Sequence, residues 1–143
     1  MVKLQEGDIA PLFSVLDSNS KIFNLEDYKN KTIILYFYPK DDTPGCTIEA
    51  CDFSSLLNNF KEKGVEVFGI SADDLNSHKK FISKYHILFP LLIDPDYSVA
   101  KLYGVYENNK FIRSTFIIQK LRIKKAFYGV NPLGHAKKVL DSI

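Results

Sequence analysis

Several distinct hydrophobic patterns follow one another along the chain. Residues 32–38 (Thr-Ile-Ile-Leu-Tyr-Phe-Tyr) form an unbroken β-branched and aromatic run, the pattern of a strand covered on both faces. Pro39 ends it and holds Tyr38 extended. The period then changes. Thr43 is a good N-cap and Pro44 suits the first helical position. Phe53, Leu56, Leu57 and Phe60 recur at i, i+3, i+4 and i+7, the stripe of a helix with one buried face, and Gly64 is its natural stop. Residues 65–70 predict a second apolar strand, Ser71-Ala72-Asp73-Asp74 a loop and cap, and His78, Phe81, Ile82 and Tyr85 another helix. Upstream, residues 13–17 and 21–24, separated by Ser18-Asn19-Ser20, read as a short hairpin. Downstream, 90–93 predicts a short strand, 97–103 a short helix closed by Gly104, and Asn108-Asn109 a turn. Residues 113–119 and 122–128 are strands joined by so short a link that they must pair antiparallel. Asn131-Pro132 is read as the cap of a last helix running to about Ser142. This order predicts an α/β fold with a mixed central sheet, helices on both faces and an N-terminal β-hairpin.

Composition narrows the class. A chain of 143 residues is one domain's worth, so a single domain over 1–143 is expected. At this length roughly two-thirds of the unfolded surface is buried, so the core needs no disulfide or metal staple. The longest apolar runs, 33–38 and 87–93, are far short of the ~20 residues that cross a bilayer. Charges at Lys3, Glu6 and Asp8 stand where a leader's apolar region would lie. A non-exported, cytoplasmic protein without a membrane partner is expected. The net charge is +2, from 19 basic and 17 acidic residues. The lysines are scattered, so no basic face for nucleic acid is expected. Arg113 and Arg122 are the two arginines. In so Lys-rich a chain an Arg marks a place where the planar fork matters, against the alternative of ordinary surface usage.

The chemistry centres on two cysteines, Cys46 and Cys51. In a reducing cytosol a permanent structural disulfide is disfavoured, which leaves catalysis, metal binding or inert burial. With Thr43 as the cap, Cys46 falls at about the third helical position. The unpaired N–H groups and dipole of that first turn favour thiolate over thiol. Thr43 can place a hydroxyl near the same sulfur. The bland alternative is a buried, inert thiol, yet a core Cys belongs on the apolar stripe rather than in a Thr-Pro-Gly turn. The C-x4-C spacing is not the C-x-x-C of dithiol exchange or zinc sites. His78, His86 and His135 have no finger spacing either, so no metal is expected. His78 reads as a satisfied packing residue, while His86 and His135 read as surface residues. Neither G-x-x-x-x-G-K-[ST] nor G-x-G-x-x-G occurs, so no nucleotide cradle is signalled.

The segment Tyr36-Phe37-Tyr38-Pro39-Lys40-Asp41-Asp42-Thr43-Pro44-Gly45-Cys46-Thr47-Ile48-Glu49-Ala50-Cys51 resembles the active-site segment of the peroxiredoxins. More narrowly, it resembles the bacterioferritin-comigratory-protein or peroxiredoxin Q group. Pro39, Thr43 and Cys46 meet the family pattern P-x-x-x-[TS]-x-x-C, and Arg113-Ser114-Thr115-Phe116 resembles the strand that carries the family's arginine. Length and element order fit across the whole chain.

The resemblance implies a thioredoxin-like fold and thiol-dependent reduction of hydrogen peroxide or organic hydroperoxides, without metal or organic cofactor. It makes Cys46 the peroxidatic cysteine and Cys51 the resolving one. Thr43 would hydrogen-bond the thiolate and the incoming peroxide, Pro39 would shield the site from water, and Arg113 would stabilise the thiolate and the moving charge. Glu49 would orient Arg113, its bland reading being an exposed helix carboxylate. A thioredoxin-type dithiol protein would recycle the disulfide, and the group is often monomeric. Two alternatives remain: a thioredoxin-like disulfide oxidoreductase, disfavoured by the x4 spacing, and a non-catalytic interaction module. If Cys46 and Cys51 share one regular helix, their Cα atoms stand ~8.7 Å apart. A disulfide needs 4.4–6.8 Å, so the helix must unwind for them to bridge.

Overall fold

The computed structural model describes residues 3–143. Met1 and Val2, which begin the charged N-terminal stretch, lie outside the described residues. The chain starts with β1 (Ser14–Leu16) and β2 (Ile22–Asn24), a 3-10 helix (Leu25–Tyr28) and β3 (Thr32–Phe37). There follow α1 (Pro44–Ser55), α2 (Leu57–Glu62), β4 (Val65–Ser71), α3 (Leu75–Tyr85) and β5 (Leu91–Ile93). The remainder comprises α4 (Ser98–Leu102), β6 (Tyr106–Glu107), β7 (Lys110–Phe111), β8 (Ser114–Gln119), β9 (Arg122–Phe127) and α5 (His135–Asp141).

The central sheet has the order β5-β4-β3-β8-β9, with β3, β4 and β5 parallel and β8 and β9 antiparallel. The continuous apolar run of β3 is explained by its central place. Ile33, Leu35 and Phe37 enter one core, with Phe13, Phe23 and the α4 residues Val99 and Ala100. Ile34 and Tyr36 enter the other, with Cys46, Ala50 and Phe53 of α1, Phe81 of α3 and Val139 of α5. The period-2 alternation of a strand thus feeds two cores at once, and helices cover both faces as expected. The N-terminal hairpin is present, with Ser14 opposite Asn24. Lys120 and Leu121 link β8 to β9 with φ of 50° and 61°, the conformation that a two-residue hairpin turn demands. No helix among the described residues is long and apolar enough to cross a membrane.

Two boundaries differ from the sequence expectation. The helix read as continuous to Gly64 breaks at Leu56, between α1 and α2. Ser55 Oγ donates to the Asp52 carbonyl at 3.0 Å, a local side-chain bond of the kind that competes with a helical ladder, and Ser54 Oγ accepts from the Leu88 N–H. Asn131-Pro132 does not cap the last helix. Asn131 Oδ1 instead accepts from the Leu133 N–H at 3.0 Å, a local turn, and α5 begins after Gly134 at φ 74°. The 3-10 helix has no hydrophobic period long enough to read in advance.

Candidate active site

The end of β3 and the start of α1 set the position of Cys46. The Tyr38 N–H is held by the Ile70 carbonyl at 3.1 Å. Thr43 has the extended backbone of an N-cap, and its carbonyl accepts from the Thr47 N–H at 2.9 Å. Its side chain makes no cap bond; the hydroxyl donates to the Lys40 carbonyl at 2.9 Å. Pro44 and Gly45 form the first two helical positions and Cys46 the third, with 1% of its surface exposed.

Arg113, just before β8, spans the sequence gap to this turn. Its Nη2 donates to Cys46 Sγ at 3.3 Å and its Nη1 to Glu49 Oε1 at 2.7 Å. Gly45 leaves room for this approach, since a Cβ there would stand a tight 3.1 Å from Arg113 Nη2 and 3.3 Å from Pro132 Cγ. Glu49 lies one turn beyond Cys46 on α1 and is fully buried, so it is the arginine partner rather than an exposed helix carboxylate. Burial raises its carboxyl to about 7 against the opposing attraction of Arg113, and Oε2 has no partner among the described residues. Burial alone would lower the Arg113 guanidinium, but Glu49 and Cys46 outweigh it and hold it up. The site is therefore a cation shared between a sulfur and a carboxyl in a nearly dry enclosure, where charge interactions are strong.

The other expected residues flank this cluster. Cys51 is a half-buried free thiol on α1, pushed up by burial and then by Asp52. Pro39 is solvent-exposed just after β3. Neither joins the hydrogen-bonded cluster of Cys46, Arg113 and Glu49.

Two buried groups escape a reading by sequence. His135, expected at the surface, is buried as the first residue of α5, with Nε2 2.7 Å from Thr115 Oγ1. Its ring lies edge-on to Phe53 and Phe127. Burial, then Lys138 and Arg113, lowers it to about 4, so it is neutral. A clue was present, since His135 shares a helical face with Val139 at i+4. Asp41, in a run of polar loop residues, is also buried. Its carboxylate, that of Asp73 and the His78 ring bring oxygen and nitrogen atoms within 4.8 Å of one another. His78 is buried and fully hydrogen-bonded, as a satisfied packing histidine should be. His86 is exposed.

Residues 7–126 match the AhpC/TSA family. A Helicobacter pylori protein named as a peroxiredoxin bcp is 45% identical, with all of both chains covered. The chloroplastic peroxiredoxin Q of Triticum aestivum is 45% identical over 72% of this chain and 48% of its own length. Among solved structures, a mutant PrxQ of Xylella fastidiosa superposes with a TM-score of 0.94 at 34% identity, covering 99% of this chain and 96% of that one. The bacterioferritin comigratory protein of Xanthomonas campestris gives a TM-score of 0.89 at 29% identity, over 94% of this chain and 96% of its own. It was determined as trapped intermediate and ligand complexes bearing on that protein's alkyl peroxide reduction. A thioredoxin-like sheet, a thiol at the start of α1 under an arginine, and these relatives agree: the chain belongs to the AhpC/TSA family, in its bcp and peroxiredoxin Q group of peroxiredoxins.

Proposed function

We propose that this chain, as one domain over 1–143, reduces hydrogen peroxide and organic hydroperoxides by a two-cysteine cycle. The Cys46 thiolate attacks the terminal peroxide oxygen, the O–O bond breaks, and the sulfur becomes a sulfenic acid. The leaving oxygen takes a proton and departs as water or an alcohol. Arg113 stabilises the thiolate and has donors to spare for the peroxide oxygens as charge moves onto them. Glu49 holds the other arm of the guanidinium and so orients it. Thr43, whose hydroxyl proton is directed at the Lys40 carbonyl, keeps its oxygen lone pairs for the peroxide O–H. Pro39 limits water at the loop before α1. Cys51 then attacks the sulfenic sulfur and releases water, leaving a Cys46–Cys51 disulfide, which a thioredoxin-type dithiol protein reduces. A second thiol nearby guards the first, reversible rung of sulfur oxidation. The reaction so written needs no metal or organic cofactor. A cytoplasmic monomer, binding neither membrane nor nucleic acid, accords with this reading.

The observation that carries it is the 3.3 Å contact of Arg113 Nη2 with Cys46 Sγ, with Glu49 on the same guanidinium. Intact mass after stoichiometric hydrogen peroxide tests it. Wild type should lose two hydrogens, Cys51→Ser should gain oxygen, and Cys46→Ser should be unchanged. Oxygen uptake by Cys46→Ser, or an unreactive wild type, would overturn the assignment.

A further inference from the structure

Asp41 lies two residues before the N-cap of α1 and gathers partners from several elements. Its Oδ1 accepts from the Tyr38 hydroxyl at 2.6 Å, and its Oδ2 accepts from the Ser77 hydroxyl at 2.9 Å. The same Oδ2 is 2.7 Å from Nδ1 of the fully buried His78. The Asp41 N–H donates to Asp73 Oδ2 at 2.8 Å, and Ser71 Oγ donates to that same oxygen at 2.7 Å. On the far side, His78 Nε2 is 2.8 Å from the Leu92 carbonyl of β5. Asp41 therefore ties the loop before α1 to the end of β3 and to α3 through its carboxylate, to the β4–α3 loop through its N–H and, by way of His78, to β5.

The protons in this network can be counted. A carbonyl oxygen only accepts, so Nε2 must carry a hydrogen. Burial, then Asp41, pushes the Tyr38 phenol up, so it remains a donor. With two hydroxyls donating to it, the Asp41 carboxylate is an acceptor. A neutral His78 would then face Oδ2 lone pair to lone pair at 2.7 Å, in a dry interior where such an arrangement is costly. An imidazolium satisfies every donor and acceptor. Burial would lower the His78 ring, but the hydrogen bond and charge of Asp41, the Leu92 carbonyl and Asp73 raise it above 6.5. Among the described residues, the titratable groups facing His78 are Asp41 from the loop before α1, Asp73 from the β4–α3 loop and Tyr38 just after β3, while β5 presents the Leu92 carbonyl. The next residue adds a second stake in the same helix. Asp42, at φ 56°, accepts from Lys84 Nζ at 2.8 Å and the Tyr85 hydroxyl at 2.7 Å.

We propose that His78, held as an imidazolium, is a positioning residue for the peroxidase reaction: through Asp41 it fixes the loop that starts α1, and so holds Cys46 beneath Arg113. This rests on the peroxidase reading above. It also assigns Asp41 and Asp42 as the fixed side of any opening of α1, because their partners lie on α3 and the sheet rather than on α1.

Three variants and one titration test it. His78→Phe removes both hydrogen bonds and should slow the second-order oxidation of Cys46 by hydrogen peroxide about tenfold or more, the scale of a small misplacement of a reacting group. Asp41→Asn keeps a hydrogen bond by donating its amide to the lone pair of a neutral His78. It should stay within a few-fold of wild type at neutral pH but lose the fall in rate that wild type should show once His78 deprotonates at alkaline pH. Lys137→Met, which removes the exposed pair with Asp141 on α5, should leave the rate unchanged. Side-chain nitrogen chemical shifts of His78 in wild type should show both ring nitrogens protonated at neutral pH. A His78→Phe protein that is folded and as fast as wild type overturns the proposal. So does a His78 with an unprotonated Nδ1 at neutral pH, a measurement that stands even if His78→Phe fails to fold. A wild type that does not consume peroxide would instead sink the peroxidase reading, and the proposal with it.

Discussion

Arg113 serves two partners, one with each arm of its guanidinium: Cys46 Sγ at 3.3 Å and Glu49 Oε1 at 2.7 Å. Lysine keeps the charge and loses the fork. Arg113→Lys should therefore reduce the rate of peroxide reduction about 10²-fold, the scale of removing one preorganised donor, while far-ultraviolet circular dichroism shows it folded. Arg122 is exposed, and its guanidinium donates to the Gly7 carbonyl, so Arg122→Lys should leave the rate unchanged. Equal effects of the two changes would mean the guanidinium has no part in the chemistry. Glu49 makes a second prediction at this scale. Its carboxyl is raised from 4.5 to about 7 by burial, which outweighs the pull of Arg113. A raised pKa contributes stability that is fully present below 4.5 and is lost as pH rises through about 7. Glu49→Gln has no such group. Its stability relative to wild type should improve by up to about 3 kcal/mol across that interval, read as the difference in urea midpoint. A difference that does not vary with pH would show that Glu49 stays ionised throughout.

At the scale of elements, α1 is helical from Pro44 through Ser55 and contains both cysteines. Ideal helix geometry puts their Cα atoms ~8.7 Å apart on different faces, beyond disulfide reach. Forming the disulfide must therefore melt the first turns while β3, central and buried, stays intact. Amide exchange should show protection lost over residues 44–55 in the disulfide form and kept in β3. Equal protection of the segment in both states would refute it. Such a helix start was legible because its signals are local: Thr43, Pro44 and the spacing of Phe53 and Leu57. The strands of β3 and β4 were legible for the same reason. What could not be read depends on partners distant in sequence. Glu49 is buried because Arg113, 64 residues away, covers it. Asp41 looks like a solvated loop residue until His78, 37 positions on, is brought against it. Beside the break at Leu56, Ser54 accepts from the N–H of Leu88, 34 residues away, and α5 starts after a left-handed Gly134 rather than at the Asn-Pro signal.

For the whole molecule, the sheet joins two cores, and the one behind the active site is closed by α5 through His135. This ring sits between Phe53 of α1 and Phe127 of β9, with Nε2 2.7 Å from Thr115 Oγ1 of β8. It thereby links the helix that carries Cys46 to the strand that follows Arg113. The ring in this link is neutral. Burial first, then Lys138 and Arg113, lowers His135 from 6.5 to about 4. A lowered pKa contributes stability that is present above 6.5 and is lost as pH falls towards about 4, because the unfolded chain takes up a proton that the folded one refuses. The effect amounts to about 3 kcal/mol if the full shift is realised. Glu49 acts in the opposite sense over part of this range, so the wild-type curve alone blends the two. The difference between wild type and His135→Gln isolates the histidine, since Glu49 is common to both. His135→Gln should be less stable at neutral pH, from lost packing and a weakened bond to Thr115. That deficit should shrink as pH falls from 6.5 towards 4, followed by urea denaturation at each pH. A deficit constant over that window would mean that His135 is not held neutral and that α5 is anchored by its apolar face alone.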